Sequence, residues 1–214
     1  MSFQDLYVQL IEDIDYDPII EWIKPHLKPS QRILDAGCGS GVILVPLTKA
    51  GYDVVGVDID TKMLSYAQQA LFEAALPVQL YEHDLRTPLS QTFDVILLFN
   101  DVVNYFKGVK TVFKTLKKAL NPNGFILMDF YKEDYLSVMY WYEEAETSPI
   151  HYRWTSRVKG VCLTHTITNY KDTYEVKQYV YPVDYYRTVL ESLGLTVVIT
   201  EGPDERKHYL KASL

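Results

Sequence analysis

The chain predicts an α/β fold in which a mostly parallel sheet carries helices on both faces, with a small antiparallel β insertion near its end. Three observations predict it. Short apolar runs of strand length alternate with segments of helical spacing through the first 130 of 214 residues. The first of these runs breaks into alternate glycines at Gly37, Gly39 and Gly41. Between residues 150 and 181 the pattern changes to period-2 alternation rich in tyrosine and tryptophan.

In chain order, residues 3–12 place Phe3, Leu6, Tyr7, Leu10 and Ile11 on one helical face, and Pro18 opens a second helix reaching Leu27. Ile33-Leu34-Asp35 reads as a buried strand running into the loop Ala36-Gly37-Cys38-Gly39-Ser40-Gly41. Glycine there permits positive φ and leaves backbone N–H groups open to a ligand, and the helix from Val42 to Ala50 favours polar or anionic groups at its start. A cofactor cradle and a bare strand-to-helix turn are the two readings of such a loop. Pro46 within that helix predicts a kink or an early irregularity.

Val54 to Asp58 is a second strand ending in a carboxylate, and an acid at that place accepts from both hydroxyls of a ribose. A helix capped by Asp60 or Thr61 then runs to Leu76 before Pro77. Met63 on it either touches a nucleoside or belongs to the core. The third strand, Val78 to Glu82, leads to Asp84-Leu85, an acid and an apolar residue able to hold an adenine by its amino group and its face.

Asp35-x-Gly37-x-Gly39-x-Gly41, then Asp58-Ile59-Asp60, then Asp84-Leu85, resembles the class I S-adenosylmethionine (SAM)-dependent methyltransferases. Nicotinamide-binding loops space their glycines as Gly-x-Gly-x-x-Gly, and position 42 here is Val. Tyr7 through Ile23, Asp101-Val102-Val103-Asn104-Tyr105 and Met128-Asp129-Phe130-Tyr131 are similar to a bacterial subgroup of small methyltransferases of mostly unassigned substrate. The resemblance implies a Rossmann-like seven-stranded sheet with an antiparallel last strand, SAM as cofactor, and an N-terminal element over it in which Tyr7 matches the family's aromatic. Its cofactor-binding set on this chain is Tyr7, Asp35, Gly37, Cys38, Gly39, Gly41, Asp58, Ile59, Met63, Asp84, Leu85, Phe99 and Asn100. Tyr7 as ordinary core is the alternative.

Phe93 to Phe99 suits a central parallel strand, and Asn100 to Tyr105 follow at the carboxyl edge where open α/β sheets bind ligands. Thr111 to Leu120 forms a helix with its lysines outward, and Asn121-Pro122-Asn123-Gly124 turns into the strand Phe125 to Phe130. Segments 152–158, 161–169 and 173–181 form a meander, expected as a lid at about residues 150–181 within a single domain spanning 1–214. Packing alone or a homodimer contact are the other readings of its aromatics. Helix Val183 to Leu193, strand Leu195 to Thr200 and strand His208 to Ser213 close the chain. Tyr105 and His165 are candidates for acting on the acceptor, with Tyr131 and His151 beside them; for either histidine a structural role is the competing reading.

Composition narrows the function. With 28 acidic and 21 basic side chains the formal charge is −7, which disfavours phosphate backbones as partners. Cys38 and Cys162 form neither a metal spacing nor a disulfide framework. No apolar run reaches membrane-spanning length, and the N-terminus carries acids where a signal peptide is basic, so a cytoplasmic protein is expected. The expected function is methyl transfer from SAM to a small-molecule acceptor. An RNA or protein methyltransferase, a non-catalytic module for SAM or S-adenosylhomocysteine (SAH), and a nicotinamide oxidoreductase are the alternatives.

Overall fold

A computed structural model describes residues 2–148 and 150–214. Helices α1 (Phe3–Leu10) and α2 (Asp17–Ile23) precede β1 (Arg32–Ala36), α3 (Leu44–Lys49), β2 (Asp53–Asp58), α4 (Thr61–Glu73), β3 (Leu80–Glu82) and β4 (Phe93–Leu98). After a 3-10 turn at Val102–Tyr105 come α5 (Lys110–Lys118), β5 (Leu120–Tyr131) and α6 (Asp134–Val138). Four strands follow, β6 (Glu143–Glu146), β7 (Tyr152–Lys159), β8 (Cys162–Thr168) and β9 (Thr173–Tyr179), then α7 (Val183–Ser192), β10 (Thr196–Thr200) and β11 (Lys207–Ser213).

The main sheet has seven strands in the order β10-β11-β5-β4-β1-β2-β3. β11 runs antiparallel to both neighbours, while β5, β4, β1, β2 and β3 pair in parallel. The expected sheet, antiparallel last strand included, is the one observed. Neighbouring residues along each central strand point to opposite faces, and the core divides accordingly. Leu34, Val55, Ile96, Leu98, Ile126 and Met128 pack with Phe113 and Leu116 of α5 and Tyr186 and Leu190 of α7. Ile33, Val54, Val95, Leu97 and Leu127 pack on the other face with α2, α3 and α4 through Ile23, Leu47 and Leu71. Continuous apolar runs without alternation are what a sheet covered on both sides requires.

The Pro46 irregularity takes a definite form. α3 begins at Leu44 instead of Val42, so Pro46 falls in the first turn, where its missing N–H removes no helix bond. The second sheet, β6-β7-β8-β9, is an antiparallel meander, one strand larger than the expected three. Its extra strand, Glu-Glu-Ala-Glu, has neither alternation nor β propensity and is held by pairing with β7. No described helix is long and apolar enough to cross a membrane.

Candidate functional site

β1 and β2 end side by side, and the chain leaving β1 folds over the tip of β2. The N–H groups of Gly37 and Cys38 both donate to the Val57 carbonyl at 2.8 and 2.9 Å. That tight turn places Gly37 at φ +82°, where an added Cβ would lie 2.8 Å from both methyls of Val102. Gly39 has φ +53°, yet its missing Cβ would meet only Met63 Cε at 3.5 Å. Gly37 is therefore dictated by both dihedral and space, and Gly39 by dihedral alone.

Asp58 is fixed by the same loop. Its Oδ2 accepts from the Gly39 N–H at 2.8 Å and its Oδ1 from the Asp60 N–H at 2.9 Å. An ionised carboxylate has about four acceptor positions, so two remain for a ligand diol. These contacts place Asp58 on the wall of a cavity of about 400 Å³.

Of the expected cofactor residues, Tyr7, Gly37, Cys38, Gly39, Asp58, Ile59, Met63, Asp84, Leu85, Phe99 and Asn100 all line this cavity. Ile59 is 59% exposed between two carboxylates, which leaves an apolar surface for a planar base to cover. Asp84 stands on the rim and is paired with Arg86, whose guanidinium holds its carboxyl below the usual range. Asp35 and Gly41 do not line the cavity. Gly41 is buried, where a Cβ would press on Val45 and Ala67. Asp35 lies beneath the loop, 3% exposed, with its Oδ2 unpartnered among the described residues.

Burial, and next the charge of Asp58, pushes the Asp35 carboxyl up to about 7. A folded pKa above the unfolded value of about 3.9 means that folding takes up a proton between those limits, so stability is lost as pH rises from about 4 toward 7. Asp35→Asn removes this loss. Thermal denaturation should show the variant gaining on the parent by up to about 1.4 kcal/mol for each pH unit crossed in that window. A stability difference independent of pH would mean that Asp35 is already ionised in the fold.

α1 covers the cavity, and polar contacts clasp it to α4. Asp5 caps α1 through Ser2, pairs with Lys62 at 2.6 Å and accepts from the Tyr66 hydroxyl at 2.5 Å, while Gln4 donates to Asp60. Phe3, Tyr7 and Ile11 thereby face inward. Phe3 also touches Tyr174 of β9, so α1 bridges the two sheets.

A second cavity, of about 670 Å³, lies between the main sheet and the meander. Tyr7, Tyr16, Asn100 and Tyr105 line both spaces, which makes the two cavities neighbours across a shared wall. Asn100 and Asp101 both take left-handed dihedrals, φ +60° and +55°. Such backbone is costly for residues other than glycine and persists only where its surroundings hold it. Here the Asp101 N–H donates to Asp129 Oδ1 at 2.7 Å, and Lys207 Nζ donates to Asp101 Oδ1 at 2.9 Å and to Asp129 Oδ2 at 3.2 Å.

The other Asp101 oxygen, Oδ2, accepts from Gln178 Nε2 at 2.5 Å, and Gln178 Oε1 faces His165 Nε2 at 3.2 Å. His165 Nδ1 lies 3.0 Å from the Trp154 indole N–H, which can only donate. Nδ1 is thus the acceptor and Nε2 carries the proton, in keeping with a pKa that burial lowers. With its lone pair taken, His165 orients Gln178, and through it Asp101. Tyr105 opens to both cavities. Tyr131 lines the second, with Lys207 Nζ 5.1 Å from its ring centre. His151 stacks on Tyr170 and lines neither cavity.

Sequence reasoning missed Lys207 and Gln178. Asp129, a lone acid inside the apolar run of β5, was the one available signal that a buried partner must exist.

Residues 33–124 match a family described as "Methyltransferase domain". A putative methyltransferase of Bacillus subtilis, YqeM, is 34% identical over 133 residues, covering 60% of this chain and 53% of its own. The chain thus spans about half the length of that relative. A SAM-dependent methyltransferase from Clostridium acetobutylicum superposes with TM-score 0.82 at 20% identity, over 99% of this chain and 97% of that one. The sugar N-methyltransferase KedS8 from Streptoalloteichus gives TM-score 0.80 at 16% identity, covering 99% and 92%.

Proposed function

We propose, on the premise that the chain belongs to the class I SAM-dependent methyltransferases, that it methylates the nitrogen of a small amine held in the second cavity. SAM is the cofactor, and its sulfonium supplies an already electrophilic methyl group. In this reading Asp58 takes the ribose hydroxyls, Ile59, Met63 and Leu85 cover the adenine, and Asp84 accepts from its amino group. Gly37, Cys38, Gly39 and Asn100 flank the methionine end, and Tyr7 and Phe99 close the cavity around it.

The observation that carries the proposal is the shared wall at Tyr7, Asn100 and Tyr105, with the Asp101 carboxylate fixed on its acceptor side. Two buried donors hold that carboxylate, and each oxygen retains acceptor capacity. An amine N–H bound there would be oriented with its lone pair free. Holding nucleophile and electrophile in line contributes several kcal/mol without further chemistry. A protonated amine must lose a proton first, and Asp101 is the carboxylate placed to attract and relay it. The fold shared with a sugar N-methyltransferase supports nitrogen as the accepting atom.

The test uses labelled SAM with a pool of small amines, alcohols, thiols, peptides and RNA. Label should enter amines, and Asp101→Asn should lower kcat/KM for them by about a hundredfold, roughly 2.7 kcal/mol, while leaving SAM affinity within threefold. Label entering only hydroxyls, peptides or RNA would overturn the reading. In a companion measurement Asp58→Ala should weaken SAM by about 1.5 to 3 kcal/mol, the range for hydrogen bonds to a charged group.

A further inference from the structure

The second cavity has another carboxylate, on the meander and outside every motif. Glu144 of β6 lines it. The Tyr142 hydroxyl donates to Glu144 Oε2 and the Tyr152 hydroxyl to Oε1, one phenol on each oxygen. Neither phenol lines the cavity, so both hold the carboxylate from behind. Burial, followed by the bond to Glu144, pushes the Tyr142 phenol up to about 12, which keeps it a donor. Among the described residues no basic side chain forms an ion pair with Glu144.

A carboxylate clamped in this way has lost its freedom to rotate, and each oxygen of this cavity-lining group keeps one acceptor position. Two acceptors at carboxylate spacing suit two O–H groups on adjacent carbons. Beside them stands Trp154, the register partner of Glu144 on β7, so the two side chains share a face. The Trp154 ring is locked by its bond to His165, which offers a fixed aromatic surface to the C–H face of a saturated ring.

We infer that Glu144, with Tyr142 and Tyr152 behind it and Trp154 beside it, is a specificity subsite for vicinal hydroxyls, and that the acceptor is a polyhydroxylated ring such as an amino sugar. The inference rests on the proposed placement of the acceptor in the second cavity, and it deepens that reading. Asp101 takes the reacting end of the acceptor and Glu144 the distal hydroxyls.

The experiment measures binding to the SAH-saturated protein, by calorimetry and Trp fluorescence, so that it does not depend on turnover. The probes are glucosamine, cyclohexylamine and trans-1,4-diaminocyclohexane. Glucosamine should bind at least tenfold tighter than cyclohexylamine. Glu144→Ala should abolish that preference, and the paired Tyr142→Phe and Tyr152→Phe changes should reduce it while leaving the carboxylate in place. SAH affinity unchanged in each variant establishes that it is folded, and the double Phe variant carries the test if Glu144→Ala does not fold.

Equal binding of the two ring amines, no binding of either, tighter binding of the diamine, or a preference that survives both sets of changes would overturn the subsite. Failure of the proposed N-methyl transfer looks different. In that case the hydroxyl preference persists and depends on Glu144, while label from SAM never enters an amine.

Discussion

Gly37→Val is expected to abolish SAM binding, with affinity falling more than a hundredfold, about 2.7 kcal/mol or greater. Two costs combine at this position. A β-branched residue at φ +82° is strained by itself, since left-handed backbone costs about 1 to 2 kcal/mol for residues with a Cβ. The added Cβ alone would stand 2.8 Å from two Val102 methyls, and Val102 begins the 3-10 turn carrying Asn104 and Tyr105. Relief of that clash must displace either the loop or the turn, and both line the first cavity. Gly39→Ala is the control. It has the same sign of φ but meets only the flexible end of Met63 at 3.5 Å, so it should lose much less. Calorimetry with SAM, beside thermal denaturation of the unliganded proteins, separates lost binding from lost folding. A folded Gly37→Val protein with normal affinity would mean that the loop does not face the cofactor.

Why the residues of the first cavity were legible and those of the second were not follows from sequence distance. Asp35 to Gly41, Asp58 and Asp84 are consecutive strand ends of one parallel sheet, so a local pattern of apolar run, turn and acid repeats three times and is readable without contacts. The meander was legible for a similar reason, since β7 to β9 alternate and Lys159-Gly160 turns between them. β6 was not. Its three acids carry no strand signal, and pairing with β7 alone makes it a strand.

Side-chain partners lie beyond the reach of pattern. His165 was a candidate for acting on the acceptor, with a structural role as the competing reading, and its surroundings are set by Trp154, Ser156 and Gln178 across adjacent strands. Asp35 was grouped with the cofactor residues because it heads the glycine motif. Its position one step inside the strand end buries it beneath the loop instead. The Asp101 to Lys207 contact joins residues 106 apart, through a strand that is last in sequence but lies inside the sheet, between β10 and β5.

That contact should govern stability and acceptor chemistry together. Lys207→Met is expected to destabilise the protein by about 3 to 5 kcal/mol, because removing one partner of a buried ion cluster leaves the remaining charges uncompensated. The Lys207 side chain is 6% exposed, its ammonium between Asp101 and the fully buried Asp129, and against the lowering effect of burial those two carboxylates raise its pKa. Burial already raises the Asp129 carboxyl with lysine present, and without it the folded pKa rises further above the unfolded value. The sign of the pH dependence follows. The loss should be smallest below about pH 4, where the Asp129 carboxyl is protonated in both states, and should grow as pH rises. Asp129→Asn added to Lys207→Met should recover part of the stability, since the second change removes the stranded charge. It should not restore methyl transfer, because Asp101 would still lack the cation that holds its carboxylate at the second cavity, where the acceptor is proposed to bind. Denaturant titrations of the two single variants and the double variant at pH 4 and pH 8, with labelled transfer assayed on each, check both halves. If Lys207→Met costs the same at both pH values, Asp129 is not charged beside the lysine, and another arrangement of protons holds the cluster together.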